Sequence, residues 1–167
     1  MTAISTLLYT LTALSQILIL LVLFIFIFKR KKLFGFIKKF SYETKLFTFF
    51  VALGATLGSL YYSEILSFNP CLLCWYQRIF MYPLVILLGV DLFLKEKTRK
   101  STIILSVIGA LIALYHYIVQ LSSVFSCNVG GVDCAIRYTF GFGYITIPVM
   151  AFTAFLLIAM LSYLNKK

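Results

Sequence analysis

The chain has few charged residues, and this scarcity excludes a water-soluble globular protein. Asp, Glu, Lys and Arg make up only 12% of the 167 residues, whereas 62% are hydrophobic and the mean hydropathy is +1.03. A typical soluble domain contains about 25% charged residues. This chain has too little polar surface to cover a globule in water, so its composition places it in a lipid bilayer.

Polar interruptions are missing from five stretches long enough to cross that bilayer. A hydrocarbon core about 30 Å thick requires roughly 20 apolar residues per helix, because each residue advances the helix by about 1.5 Å. None of the stretches alternates between apolar and polar residues with a period of two, which argues against membrane β-strands. The sequence therefore predicts an all-α integral membrane protein with helices at about 3–28, 46–63, 71–90, 101–124 and 143–164.

The first stretch lacks the features of a cleaved signal peptide. No basic region precedes it, and its apolar run exceeds the usual length of about 7–15 residues. It is followed by four consecutive basic residues instead of a small-residue cleavage site: Lys29, Arg30, Lys31 and Lys32. We therefore expect a retained transmembrane anchor followed by a basic loop.

Basic residues are concentrated in the connections on one side of the predicted bundle. The net charge is +10. Most of the basic residues lie between the first two stretches, between the third and fourth, or at the C-terminus: Lys29, Arg30, Lys31, Lys32, Lys38, Lys39, Lys45, Lys95, Lys97, Arg99, Lys100, Lys166 and Lys167. The positive-inside rule makes this side cytoplasmic, with the N-terminus outside and the C-terminus in the cytoplasm. We interpret these charges as orienting the protein and contacting anionic lipid headgroups, not as binding nucleic acid.

The four cysteines are all predicted on the opposite, extracytoplasmic side. Cys71 and Cys74 lie at the start of the third stretch, and Cys127 and Cys134 lie in the loop at about 125–142. Disulfides form and persist in extracytoplasmic compartments. The placement therefore favours thiol–disulfide chemistry.

The first cysteine pair lies in the segment NPCLLCWYQR at 69–78. Asn69 is a suitable N-cap and Pro70 a suitable first helical residue, which would place both cysteines in the first helical turn. The positive end of the helix dipole favours thiolates there. Arg78 follows Cys74 by four residues, on the same stripe of the helix, and adds a fixed cation. These features predict a reactive pair.

The second pair lies in the segment CNVGGVDC at 127–134. The adjacent Gly130 and Gly131 permit a chain reversal that can bring the two cysteines within disulfide distance. Two pairs at different depths indicate a relay, because thiol exchange proceeds through mixed disulfides. No flavin, NAD or haem fingerprint occurs in the sequence, so a lipid-soluble quinone is the simplest oxidant for the inner pair.

Three segments together resemble the disulfide bond formation protein B (DsbB) family, especially its shorter BdbC-like branch. They are CLLCWYQR at 71–78, YHYIVQ at 115–120 and CNVGGVDC at 127–134, within a similarity that covers about 46–164. The resemblance implies a four-helix transmembrane bundle of DsbB type plus one extra N-terminal helix. It divides the chain into an anchor with a basic cytoplasmic loop at 1–45 and a redox domain at 46–167.

The resemblance also implies a function. Cys74 is similar to the cysteine that engages quinone, and Arg78 to the arginine that supports quinone binding. Cys127 resembles the cysteine that meets a thioredoxin-fold partner, with Cys134 as its mate. The implied protein lies in the bacterial cytoplasmic (inner) membrane, reoxidises an extracytoplasmic thiol oxidase of the DsbA or BdbD type, and passes electrons to ubiquinone or menaquinone. Disulfide formation in exported proteins would depend on it.

Other interpretations stay open at this stage. His116 and Gln120 are candidates for contact with quinone, or for hydrogen bonds inside the bundle. The four cysteines could bind structural zinc, although the spacing of the second pair is wider than usual. A non-enzymatic membrane protein with two structural disulfides is a further alternative, and quinone-linked chemistry of the vitamin K epoxide reductase kind a more distant one.

Several residues in the helices have structural interpretations only. Gly54 and Gly58 predict a close helix contact through a G-x-x-x-G pattern. Asp91 and Lys95, four residues apart, predict an ion pair. Proline inside the third and fifth stretches predicts helix kinks at Pro83 and Pro148.

Overall fold

The computed structural model describes residues 3–95, 98–122, 133–137 and 141–165. Within these ranges the chain forms five long helices and no strand, apart from an isolated bridge between Gly141 and Ile145. All five are long and apolar enough to cross a membrane. They are α1 (Ala3–Lys39), α2 (Ser41–Leu60), α3 (Leu72–Gly89), α4 (Arg99–Leu121) and α5 (Ile147–Leu164). The prediction of an all-α transmembrane bundle is confirmed.

Helix α1 continues through the basic segment that the sequence analysis assigned to a loop. Only Lys29 departs from helical geometry, with φ −136° and ψ 43°, and it marks a kink. Lys and Arg are good helix formers, and no proline interrupts the segment. Leu33 and Ile37 beyond the kink are buried with Leu164 of α5, so tertiary packing holds this part of the helix.

The core of the bundle lies between α2, α3, α4 and α5. Its buried residues are Ala52, Met81, Leu84, Leu88, Ala110, Ala113, Phe155 and Ile158. Helices α4 and α5 approach closely because Gly109 has no side chain: a Cβ atom there would lie 2.4 Å from the ring of Phe155. A larger residue at this position would push the two helices apart.

Two short π-helical segments extend the ends of α2 and α3. Tyr61–Ile65 follows α2, and Val90–Leu94 follows α3. The second segment ends at Lys95 in a left-handed conformation, with φ 57°. This turn replaces the α-helical geometry on which the predicted ion pair between Asp91 and Lys95 depended. Asp91 instead pairs with Lys45 of α2, at 2.9 Å, so that prediction was wrong.

Of two further expectations about helix geometry, the kink at Pro148 was wrong and the close contact at the G-x-x-x-G pattern was confirmed at one of its two glycines. Pro148 lies in the first turn of α5, where proline fits without a kink, whereas Pro83 lies inside α3. Among the described residues, and apart from the chain neighbours of Gly54 and the nearby backbone of its own helix, no atom comes within 4 Å of a Cβ placed on Gly54. Gly58 does approach a neighbouring helix, since its Cβ would lie 3.4 Å from Leu8 of α1. The G-x-x-x-G pattern therefore makes a close contact only at its second glycine.

Helix α1 lies against the outside of the other four helices, mainly along α5. Ile19 is buried with Leu157 and Leu161 of that helix. Many of the other α1 side chains are exposed, as expected for a helix that faces lipid. Helix α1 is thus an addition to a four-helix core.

Candidate functional site

The site begins at the start of α3, where the helix cap differs from the prediction. Cys71, and not Asn69, is the N-cap; its backbone is extended, with φ −70° and ψ 172°. Its Sγ accepts a hydrogen bond from the backbone N–H of Cys74, at 3.3 Å. A cysteine sulfur therefore has the role that an Asn side chain commonly fills. The helix starts at Leu72, so Cys74, but not Cys71, lies in its first turn.

The sulfur atoms of this pair are in contact. Their Sγ atoms lie 2.8 Å apart, and both cysteines are free. Cys71 is buried and lies just outside the membrane-spanning helix. A hydrogen bond from the Cys74 thiol lowers the pKa of Cys71 to about 4, with His116 contributing and burial opposing. These contacts favour Cys71 as the thiolate of the pair.

His116 of α4 connects the pair to the loop before α5. Its side chain is only 1% exposed, and its Nε2 lies 3.6 Å from Cys71 Sγ and 3.2 Å from the carbonyl oxygen of Cys134. Its Nδ1 lies 2.9 Å from Nε2 of Gln77 on α3. If Gln77 donates to Nδ1, the histidine hydrogen is on Nε2 and points to the sulfur and the carbonyl.

The sequence analysis missed Gln77. It is one residue before Arg78 and nearly a full turn after Cys74, and its side chain is buried. A polar residue inside an apolar helix was the available signal, because such residues usually face the bundle interior and find a partner. Which partner it finds depends on how α3 packs on α4, and sequence spacing within α3 does not give that.

Arg78 is buried beside neutral groups. Its Nε donates to Ser59 Oγ at 2.9 Å, and its Nη2 donates to the Ser59 carbonyl oxygen at 3.0 Å. Its guanidinium carbon lies 5.2 Å from the centre of the Trp75 ring. Within the described part of the chain, the ion pair found is the one between Lys45 and Asp91. The charge of Arg78 is therefore held in place without being neutralised by a carboxylate.

A large apolar cavity opens beside Arg78 and Cys74. Its volume is about 500 Å³, within the range of pockets that enclose a small organic molecule. Cys74, Gln77 and Arg78 lie on its wall together with apolar side chains of α2, α3 and α5, and residues of α1 complete the lining. A ligand in this cavity would be surrounded mainly by hydrocarbon and would meet one sulfur and one cation.

A much smaller and more polar cavity lies on the other side of the pair. Its volume is about 10 Å³. Its lining consists of Cys71, Cys74, His116, Gln120, Asp133, Ile136, Ile147 and Pro148. Cys74 lines both cavities, whereas Cys71 and His116 face only the small one. The sulfur pair therefore lies between the large apolar cavity and a small space bordered by His116, Gln120 and Asp133.

The outer cysteines are only partly described. Cys134 is disulfide-bonded and buried, and it packs against Cys71, Leu73 and Val119. Cys127 lies outside the described residues. Gln120 donates to the Ile136 carbonyl oxygen at 3.2 Å, and its own carbonyl oxygen accepts from Arg137. Gln120 thus fixes the segment that carries Cys134. His116 and Gln120 line the small cavity and not the large one. Contact of quinone with either residue stays a prediction.

The inner pair and His116 also meet the distance requirement for metal ligands. Their ligand atoms lie within 4.8 Å of one another. However, two thiolates on a tetrahedral zinc ion, with Zn–S bonds of about 2.3 Å, would be about 3.8 Å apart. The observed sulfur separation of 2.8 Å is shorter. The disulfide at Cys134 also removes its thiolate from a four-cysteine zinc site.

Comparison with known proteins gives one consistent result. A family model described as "Disulfide bond formation protein DsbB" matches residues 42–164. The "Disulfide bond formation protein C" of Bacillus subtilis (strain 168) is 48% identical over 121 residues, which are 70% of this chain and 87% of the relative. The "Probable disulfide formation protein C 1" of Bacillus anthracis is 46% identical over 114 residues, 66% of this chain and 82% of the relative.

A third relative is similar to the chain over a comparable length. The "SPbeta prophage-derived disulfide bond formation protein B" of Bacillus subtilis (strain 168) is 45% identical over 116 residues, which are 68% of this chain and 78% of that protein. No solved structure matches the chain. With a family match over most of its length, relatives at this level of identity and five helices able to cross a membrane, the chain belongs to the DsbB family of disulfide bond formation proteins, on its BdbC-like branch.

Proposed function

We propose that this protein is a thiol:quinone oxidoreductase of the bacterial cytoplasmic membrane. It reoxidises an extracytoplasmic thioredoxin-fold thiol oxidase of the DsbA or BdbD type and passes the electrons to ubiquinone or menaquinone. Disulfide formation in exported proteins then depends on it. The observation that carries the proposal is the position of Cys74, which lines both the polar and the apolar cavity. A dithiol at this junction can receive electrons from one side and release them to the other.

Electrons enter through the outer pair. The reduced partner becomes a disulfide while the disulfide at Cys134, with Cys127 as the mate implied by the family, becomes a dithiol. That dithiol then reduces a disulfide between Cys71 and Cys74 by the same exchange. The packing of Cys134 against Cys71 supports this second step, because it requires the sulfurs of the two pairs to meet.

The inner pair is arranged to give up two electrons. Cys71 is the thiolate, and Cys74 holds the proton in the hydrogen bond between the two sulfurs. Oxidation forms one S–S bond, removes two electrons and releases the Cys74 proton. His116, oriented by Gln77, stabilises the Cys71 thiolate before the bond forms and again after the outer dithiol has reduced the bond.

The large cavity fits a lipid-soluble acceptor. Quinone, when bound there, supplies an acceptor for two electrons and two protons. Arg78 offsets negative charge that develops next to Cys74, because Ser59 holds its guanidinium at the cavity wall and no described carboxylate neutralises it. The apolar lining excludes water from the sulfur that faces the acceptor.

We further propose the topology that the charges predict. The N-terminus and all four cysteines are extracytoplasmic, and the C-terminus is cytoplasmic. Two packing contacts support it. Tyr9, near the start of α1, packs on Gly141 in the loop that follows the outer cysteines. Asn165 at the other end accepts a hydrogen bond from Ser41, after the basic segment, at 2.7 Å. The division into an anchor at 1–45 and a redox domain at 46–167 remains part of the proposal.

Purified protein in vesicles tests the function. With a reduced thioredoxin-fold partner and quinone present, we expect quinol to form in proportion to partner disulfide, and Cys74→Ser to abolish it. Thr48→Ser, a conservative change of a buried residue away from the site, serves as the control. Quinol formation that continues in Cys74→Ser would contradict the proposal.

The same sample distinguishes the alternatives. A zinc protein would release about one zinc ion per chain on thiol modification and leave quinone unreduced. A protein with structural disulfides only would leave quinone unreduced and contain no zinc. For the topology, a membrane-impermeant maleimide should label the reduced cysteines only from the extracytoplasmic side; labelling from the cytoplasmic side would overturn the orientation.

A further inference from the structure

Helix α1 lies outside the part of the chain that matches the family model, which begins at residue 42. The family match therefore gives no role for this helix, and only its own contacts indicate one. A helix that served only as an anchor would need no specific contact with the redox bundle. The contacts that α1 makes are specific, and they surround the large cavity.

Polar contacts attach α1 to the α5 side of the cavity. Gln16 Nε2 donates to Thr153 Oγ1 at 3.2 Å, and its Oε1 accepts from the Tyr144 hydroxyl at 2.7 Å. Tyr9 covers Gly141 so closely that a Cβ there would lie 2.4 Å from the tyrosine ring. These contacts fix the rotation of α1 about its axis, and hence which of its residues face the cavity.

Helix α1 contacts α2 at the outer end of the cavity. Leu8 lies 3.4 Å from the position of a Cβ on Gly58. Six residues of α1 between this contact and the middle of the helix line the cavity: Leu8, Leu11, Thr12, Leu14, Ser15 and Leu18. Beyond Leu8, side chains from both helices line the cavity, and some of them are also exposed.

Asn69, just before α3, also lines the cavity and is exposed. The large apolar side chains of this kind are Leu11 and Leu14 of α1 and Phe47 and Phe50 of α2. A residue that both lines a cavity and faces the surroundings lies at its opening. At these four residues the opening is bordered by hydrocarbon and lies between two membrane-spanning helices, so this part of it faces lipid. We call these four residues the lateral portal.

We propose that α1 is a wall of the acceptor cavity, and that the lateral portal between α1 and α2 is the route by which a lipid-soluble quinone enters from the membrane. This inference rests on the proposed function. The apolar border suits a ring that carries a long hydrocarbon tail, because the ring can reach Cys74 and Arg78 while the tail stays in the portal and the lipid. The portal then determines which tailed acceptors the protein accepts.

Narrowing the portal tests the proposal. In Leu14→Trp, we expect the KM for a quinone with a long isoprenoid tail to rise by about tenfold, the size of effect that one poorly fitting apolar group produces. The KM for a tail-less quinone should change much less. Leu20→Trp is the matched control, since Leu20 is 66% exposed against 62% for Leu14 and does not line the cavity.

The outcomes separate this inference from the function on which it rests. If the unmodified protein reduces no quinone, the proposed function fails. If it reduces quinone and Leu14→Trp matches Leu20→Trp with the tailed acceptor, the portal is wrong while the function stands. The rate of alkylation of Cys71 in each variant shows whether the fold is retained. Should Leu14→Trp fail to fold, Leu11→Phe narrows the same opening with a smaller side chain and carries the same expectation.

Discussion

The two cavities that meet at the inner cysteine pair differ in size, polarity and charge. The large cavity is apolar and contains the cation of Arg78, whereas the small one is lined by His116, Gln120 and Asp133 and lies beside the segment of Cys134. Because the inner cysteine pair borders both cavities, one dithiol can serve two reactions. Thiol exchange needs a stabilised thiolate and polar groups, and transfer to a lipid-soluble acceptor needs an apolar site with a fixed positive charge.

The largest effect is expected from removing the sulfur that faces both cavities. In Cys74→Ala, quinol formation should be lost completely, because no disulfide can form with Cys71. The same change removes the principal hydrogen bond to the Cys71 sulfur, so its pKa should rise from about 4 toward the ordinary value of about 8.5. The pH dependence of Cys71 alkylation measures the shift.

The rate of alkylation of Cys71 should rise with pH, because the thiolate is the form that reacts. In the unmodified protein, alkylation of Cys71 should stay fast at neutral pH and slow down only as the pH falls through about 4. In Cys74→Ala, it should already be slow at pH 6. A midpoint that does not move would contradict the assignment of the proton to Cys74.

A change confined to the apolar side should affect only acceptor reduction. Arg78→Gln should lower the rate of quinol formation by about 100-fold, the usual cost of removing one donor that stabilises developing charge. Exchange of the outer pair with a reduced thioredoxin-fold partner should continue, which a single-turnover assay without quinone can measure. Lys100→Gln removes the same charge from an exposed position on α4 and is the control. Equal losses in both reactions would show that the two sides are not separate.

Changes in the hydrogen bonds around His116 should shift the pKa of Cys71 by smaller amounts. His116→Gln should raise the pKa of Cys71 by less than Cys74→Ala does, because the histidine contributes less than the neighbouring thiol. Gln77→Leu should act in the same direction through His116, since it removes the hydrogen bond to Nδ1. Alkylation of Cys71 as a function of pH ranks the three variants, and a different ranking would contradict the network.

The smallest effect is expected far from both cavities. Asp91→Asn breaks the ion pair with Lys45, at 2.9 Å, between α2 and the segment after α3. A partly exposed pair of this kind contributes up to about 1 kcal/mol. Thermal unfolding should shift slightly, while quinol formation and thiol exchange stay unchanged. A change in either reaction would extend the site beyond the two cavities.

The sequence predicted the features that depend on composition and short spacing. Hydropathy located the five helices, and the C-x-x-C segment with Arg78 located two residues that line the large cavity, Cys74 and Arg78. It failed where the outcome depends on how helices pack. The contact of Gln77 with His116 requires the packing of α3 on α4, and the pairing of Asp91 with Lys45 requires that of α2 on α3.

Local backbone geometry and tertiary contacts account for the other differences between the sequence-based predictions and the structure. Cys71 became the N-cap because its sulfur can accept the Cys74 N–H, which residue preferences dominated by Asn do not anticipate. The basic segment after Lys29 is helical because Leu33 and Ile37 are buried against α5, a tertiary effect that charge counting does not predict. The position of α1 beside the cavity is likewise a result of tertiary contacts, through Gln16 and Tyr9.

The central claim is that the inner pair passes its electrons directly to an acceptor in the large cavity. The most direct measurement uses fully reduced Cys134→Ser, in which the outer pair cannot form, with quinone as the only oxidant. The account predicts one quinol per protein and a single new disulfide that mass spectrometry locates between Cys71 and Cys74. Quinone that stays oxidised while these two thiols remain free would contradict it.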